Sequence, residues 1–85
     1  MNQKEDKTPH NDKGQPHGYW ESYYDNGNLI YKGNYLNEKK VGYWEIYHDN
    51  GNLWHRGYYS NGKKIGYWEH YCREEKTLRF KTYYI

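Results

Sequence analysis

Cysteine occurs once in this sequence, at Cys72, and proline twice, at Pro9 and Pro16. A single thiol cannot close an intramolecular disulfide, which excludes the disulfide-stapled class of small secreted domains. No long apolar run is present, so neither a secretory leader nor a membrane-spanning helix is read, and a reducing cytoplasm, bacterial or host, is the expected compartment. Only 34% of residues are hydrophobic, and a chain of this size buries about 60% of the surface its unfolded form exposes, so a deep core is not expected. A dominant charge sign is also missing. Thirteen basic and 11 acidic side chains leave a formal charge of +2, too mild by itself to indicate nucleic acid or an anionic membrane.

What the chain has in abundance is rings: 13 Tyr, 4 Trp and one Phe make the aromatic share 21%. Such side chains carry polar edges and suit a thin, half-wet sheet. They begin only after residue 16. Residues 1–16 are polar, contain both prolines and cannot offset the entropy of ordering by burial, so they read as a flexible tail. A remnant of a turn is expected at its end, because Gly14 precedes Gly18 by the interval that separates Gly62 from Gly66.

From Gly18 onward the sequence repeats itself. GYWESYYDNGNL, GYWEIYHDNGNL and GYWEHYCREEKTL begin at Gly18, Gly42 and Gly66, a period of 24 residues. Each copy holds an aromatic run, a polar turn, and a second run. The first two copies end that run in Gly-x-Tyr. Asn-Gly pairs at Asn26-Gly27, Asn50-Gly51 and Asn61-Gly62 fit two-residue type I′ turns. The fold class is therefore all-β: a single antiparallel meander of about six strands, built from three hairpin repeats over 17–85 (18–41, 42–65 and 66–85).

Those turns fix a register. They place Glu21 opposite Lys32, Glu45 opposite Arg56 and, with Cys72 closing on Leu78, Glu69 opposite Lys81, so acid meets base three times. Trp20 and Trp44 fall opposite Gly33 and Gly57, where a large ring can lie over a bare strand position. Between hairpins the same reasoning pairs Tyr31 with Trp44, Lys32 with Tyr43, His55 with Trp68 and Arg56 with Tyr67. One face then carries Trp20, Tyr24, Leu29, Tyr31, Tyr35, Trp44, Ile46, Leu53, Tyr59, Trp68, Leu78 and Phe80. The other carries Tyr19, Tyr23, Tyr43, Tyr47, Tyr67 and Tyr71 around the Glu/base pairs, with Lys32 and Arg56 placed for cation–π contact. A three-residue loop with a Gly bulge is the rival turn, and it is expected to shift the register and destroy these pairings.

The recurring G-x-W-x-x-Y, N-G-x-L and G-x-Y resembles the bacterial and phage variant of the MORN repeat, from Gly18 to about Tyr84. The third copy departs from it at Arg73-Glu74-Glu75-Lys76-Thr77, and Thr82 replaces the glycine, so its last hairpin reads as a cap. The resemblance implies a meandering sheet that serves as a scaffold for protein partners, with an antitoxin-like label in many bacterial members. It supplies no catalytic residues and no cofactor.

Chemistry-bearing residues have plain structural readings beside the sharp ones. Glu21, Glu45 and Glu69 suggest a carboxylate cluster, but each faces a base, and equivalent positions lie two strands apart, about 10 Å. His48, His55, His70 and Cys72 suggest zinc, yet three of them stand where the repeat puts Tyr or Ser. No nucleophile with a base and no Gly-rich phosphate loop is present, so the chain reads as no enzyme, with no catalytic residue, metal or cofactor.

The expected function is a small non-catalytic protein-binding module, an inhibitor of antitoxin-like or anti-defence type whose partner is a toxin or a host defence enzyme. The candidate contacts are Tyr31, Tyr35, Trp44 and Trp68 on one face and Tyr43, Tyr47 and Trp54 on the other, since exposed Tyr and Trp are enriched at binding hot spots. The competing reading is that these rings serve folding alone. Lys39, Lys40, Lys63 and Lys64 lie along one rim beside tyrosines, which gives the alternative of a single-stranded nucleic-acid-binding module. Both edges, residues 19–24 and 78–84, offer unpaired backbone for strand addition or self-association.

Overall fold

Strands alternating between ring and charge have two usable faces and little aliphatic bulk to wrap, so they lie flat. The computed structural model of the chain describes residues 5–85. Among them are six strands: β1 (Gly18–Tyr23), β2 (Leu29–Leu36), β3 (Lys39–Tyr47), β4 (Leu53–Ser60), β5 (Lys63–Tyr71) and β6 (Leu78–Tyr84). They form one antiparallel sheet in the order β1-β2-β3-β4-β5-β6, a plate of 44 × 41 × 11 Å. The fold class expected from the repeats is the fold observed.

Within each hairpin the expected pairs form. Glu21 faces Lys32 and Trp20 faces Gly33; Glu45 faces Arg56 and Trp44 faces Gly57; Glu69 faces Lys81. The turns that produce them are not those expected. Gly27 and Gly51 take φ of 92° and 91° while Asn26 and Asn50 do not enter positive φ, and the Gly27 and Gly51 N–H groups donate to Tyr24 O and His48 O at 2.9 and 3.0 Å. These tips are the rival three-residue loop with a Gly bulge. The register survives because one extra residue on the returning strand, Ile30 in β2 and Trp54 in β4, cancels the shift. In the third copy Cys72 closes on Thr77, not Leu78, and Arg79 is the extra residue. The type I′ geometry does occur between hairpins, at Asn61-Gly62 as expected and also at Asn37-Glu38, with both residues of each pair at positive φ.

The pairings expected between hairpins are corrected by two residues. From the turn, Leu36 faces Lys39 and Asn34 faces Val41, but then Lys32 faces Glu45 and Tyr31 faces Ile46. Likewise Arg56 faces Glu69 and His55 faces His70, in place of Tyr67 and Trp68. The extra residues are accommodated at Gly42 and Gly66, whose φ of 75° and 69° let the strand buckle. An even slip leaves every side chain on its face.

The buckle lets each indole fold back over the preceding hairpin. A β-carbon at Gly33 would sit 2.1 Å from Trp44 Cδ2, and one at Gly57 2.2 Å from Trp68 Cδ2. The rings therefore cover glycines, but Trp44 rather than Trp20 covers Gly33, and Trp68 rather than Trp44 covers Gly57. Their Nε1–H groups donate to Asn34 O and Tyr58 O, each at 3.1 Å. Trp44 and Trp68, 1% and 0% exposed, are the buried hydrophobic side chains among the described residues.

The polar segment before β1 is placed along it; residues 1–4 lie outside the described residues. Lys7 and Glu21 exchange N–H to O bonds of 2.8 and 2.9 Å, and Trp20 Nε1–H donates to Pro9 O at 2.9 Å. The stretch Lys7-Thr8-Pro9 thus repeats the relation of Lys32-Gly33-Asn34 to β3 and of Arg56-Gly57-Tyr58 to β5. The turn near Gly14 is present, closed by Gly14 N–H on Asn11 O and by Asn11 Oδ1 accepting from Lys13 and Gln15 N–H.

Candidate protein-binding surface

On one face of the plate, strand pairing aligns a single row of alternating charge: Lys7, Glu21, Lys32, Glu45, Arg56, Glu69 and Lys81. Ion pairs close along it at Lys7–Glu21 (3.8 Å), Lys32–Glu45 (3.3 Å), Arg56–Glu69 (2.7 Å) and Lys81–Glu69 (3.9 Å). Tyrosines two residues away on the same strand donate to the carboxylates: Tyr19 and Tyr23 to Glu21, Tyr43 and Tyr47 to Glu45, and Tyr71 to Glu69, at 2.6–2.8 Å. Arg56 also lies 5.8 Å over the Tyr71 ring.

The electrostatics follow from these contacts. Burial pushes the Glu45 carboxyl up, but the hydroxyls of Tyr47 and Tyr43 and the Lys32 ammonium outweigh it and hold the group below its usual range. Glu69 is held low by Tyr71 and Arg56. The phenols shift the opposite way: burial and the bond to a carboxylate push Tyr19 and Tyr43 up to about 12. Hydroxyls and cations thus favour the charged form of Glu45 and Glu69.

What this face leaves uncovered is phenol. Tyr43 (37% exposed) leans on Tyr58 with ring centroids 5.3 Å apart, and Tyr67 (65%) on Tyr83 at 4.7 Å; Tyr58 and Tyr83 are more than half exposed, and Tyr19 is open too. Between the tyrosines run two shallow grooves of ≈ 250 and ≈ 240 Å³, floored by Gly33 and Gly57.

The opposite face is covered along its centre, and Phe80 on β6 stays half exposed at its margin. Trp20, Tyr35, Trp44, Tyr59 and Trp68 form an unbroken edge-on ladder with centroids 5.0–6.0 Å apart. Lys40 Nζ lies 5.0 Å over Trp44 and Lys64 Nζ 4.7 Å over Trp68.

A family model described as the MORN repeat variant matches residues 16–37 and 40–61. The chain belongs to this family. No curated protein and no solved structure matches it. The first match spans the β1–β2 hairpin and the second all of the β3–β4 hairpin but Lys39, and the third hairpin, which lacks the Asp-Asn-Gly-Asn tip and carries Thr82 in place of the glycine, lies outside both.

Set on the MORN hairpins, the candidate contacts separate. Tyr43 lies open on the tyrosine face, and Tyr47 is half-buried beside it, with its hydroxyl on Glu45. Tyr31 and Tyr35 are half-buried against Trp44 on the covered face. Trp44 and Trp68 are covered and do not reach a partner in this fold, which corrects their place among the contacts. Trp54, expected beside Tyr43, is the extra residue of its strand. It escapes the alternation, stacking on His48 at 4.6 Å and leaning on His55. Lys39 and Lys63 are exposed at the turns, whereas Lys40 and Lys64 are half-buried over indoles. Sequence reasoning left Tyr19, Tyr67, Tyr58 and Tyr83 off the contact set. The first two share the repeat position of Tyr43, and the last two face Tyr43 and Tyr67 across the strand.

The histidines are absorbed by stacking. His55 lies 5.5 Å from His70, and His70 lies 4.4 Å from Phe80. Burial, then Lys64 and His70, push His55 down to about 4. Among the described residues no three His, Cys, Asp or Glu are grouped to hold a metal ion.

Proposed function

We propose that the chain is a non-catalytic protein-binding module whose contact surface is the tyrosine face. The observation that carries this is the set Tyr19, Tyr43, Tyr58, Tyr67 and Tyr83, exposed on a face whose charged row is already paired internally. Rigid phenols flanking grooves gain contact area at little entropic cost, and a compensated row of charge costs less to cover than isolated ions. The finer reading is an inhibitor that acts by covering its target, in an antitoxin-like or counter-defence setting in a bacterial or phage context, with a toxin or defence enzyme as partner. The alternative of single-stranded nucleic acid is disfavoured because Lys32, Arg56 and Lys81 face carboxylates and Lys40 and Lys64 face indoles, leaving few cations for phosphates.

Titration of the chain with the protein encoded by the neighbouring gene tests this reading. A stoichiometric complex is expected, lost in Tyr58→Ser/Tyr67→Ser and kept in a control such as Lys13→Ala. A chain that captures nothing, or a complex indifferent to the tyrosine substitutions, overturns it.

A further inference from the structure

The two edges of the plate are not alike. The β1 edge is taken up by the segment around Lys7 and Pro9, and proline has no N–H to offer beyond it. Among the described residues nothing pairs with the outer edge of β6, which carries no proline and leaves Leu78, Phe80 and Tyr83 about half exposed.

The charged row ends on that edge one carboxylate short. Lys32 faces Glu21 on one side and Glu45 on the other; Arg56 faces Glu45 and Glu69. Lys81 faces Glu69 alone, at 3.9 Å. Continuing the row by one strand spacing, about 4.8 Å, places the missing acid on whatever strand comes next.

Two occupants are excluded by the residues of β6. Another hairpin of the same kind lays its indole where a β-carbon would come within 2.2 Å of the ring, which Gly33 and Gly57 permit and Thr82 blocks. A second copy of this edge brings Arg79 and Lys81 against Arg79 and Lys81, with no acid on β6 to answer them. We propose that the β6 edge takes up an extended acidic segment of a partner protein by strand addition, with a carboxylate of that segment facing Lys81. Main-chain hydrogen bonds supply the affinity and the carboxylate fixes the register. Tyr83 borders both surfaces, but Tyr19, Tyr43, Tyr58 and Tyr67 lie outside β6, so either surface can fail without the other.

The probe is a terminally blocked peptide, Thr-Val-Thr-Glu-Thr-Val-Thr, with a second peptide carrying Lys at the centre. Both are titrated into the full chain labelled with nitrogen-15. The Glu peptide is expected to shift the amides of Leu78–Tyr84 and to bind about fivefold tighter than the Lys peptide, the scale of a cross-strand charge pair. That preference is lost in Lys81→Gln and reversed in Lys81→Glu; Lys81→Gln carries the test if a carboxylate beside Glu69 impairs folding. Shifts confined to Tyr19, Tyr43, Tyr58 and Tyr67, no response at millimolar peptide, equal binding of the two peptides, or a chain that dimerises through β6 overturns the proposal.

Discussion

The Trp68 indole lies across Gly57 of the preceding hairpin, in the space a β-carbon at residue 57 would need. The ring is wholly buried, and its Nε1–H is tied to Tyr58 O, so neither ring nor backbone has room to yield. Gly57→Ala is therefore expected to cost about 3 kcal/mol, the upper part of the range for overpacking a core. Thr82→Ala, at the corresponding place in β6, removes no such constraint and is expected to change stability by less than about 1 kcal/mol. Urea unfolding followed by tryptophan fluorescence separates the two.

Glu45 stands between Lys32 and Arg56 and accepts from Tyr43 and Tyr47. Its carboxyl and that of Glu69 are held below the usual 4.5, so the stability they contribute is complete above 4.5 and is lost as pH falls through the lower folded values. Glu45→Gln is expected to cost about 1–2 kcal/mol at pH 7 and to flatten the acid limb of the stability curve. Thermal melts from pH 7 to pH 3 read both.

His55 adds to the same acid limb, beginning at higher pH. Buried against Trp68 and His70 with Lys64 near, it takes up its second proton only below about 4 when folded, against 6.5 when free. The unfolded chain binds that proton first, so stability is full above 6.5 and declines as pH falls from 6.5 towards 4. The imidazole resonances of His55 should titrate near 4 by NMR, and His55→Phe should remove the decline in that window.

Much of this fold is legible in the sequence, and the misses have identifiable causes. Glu21, Glu45 and Glu69 face bases because hairpin arithmetic is local. The two-residue slip at Gly42 and Gly66 escapes that arithmetic, since an even slip leaves the alternation of faces unchanged. Trp44 and Trp68 read as contacts because a sequence counts rings without showing what covers them; Lys40 and Lys64 do so. The tips hide a further device: Asn28 Nδ2 donates to Asp49 O at 3.0 Å and Asn52 Nδ2 to Arg73 O at 2.7 Å, so each tip clasps the next. Turn chemistry accounts for these asparagines locally, which conceals that they also join repeats.

Glu38 holds φ at 74°, where its counterpart in the next inter-hairpin turn is Gly62 at 85°. A non-glycine residue there is strained, and the strain is offset by Glu38 N–H on Pro16 O at 2.7 Å and by Gln15 Nε2–H on its carboxylate. Glu38→Gly keeps the first of these bonds and loses the exposed second one. It is expected to raise stability by about 0.5 kcal/mol, read as an upward shift of the urea midpoint without a change of slope.

The segment before β1 bears on how an array of such repeats begins. Its composition promises no burial, and burial is not how it is held: Lys7 pairs backbone and charge with Glu21, Pro9 O accepts from the Trp20 indole, and His10 meets that ring edge-on at 5.4 Å. Trp20 has no preceding glycine to cover, so these contacts replace the ones that Gly33 and Gly57 provide for Trp44 and Trp68. A chain lacking residues 1–10 should then expose Trp20 and the backbone of β1, lose about 1–2 kcal/mol, and shift tryptophan emission to the red. It should also acquire a second open edge, read as concentration-dependent association by sedimentation that the full chain does not show. If the truncated chain melts with the full one and stays monomeric, the segment is an ornament of the fold; if it loosens and associates, the segment is the cap on which β1 depends.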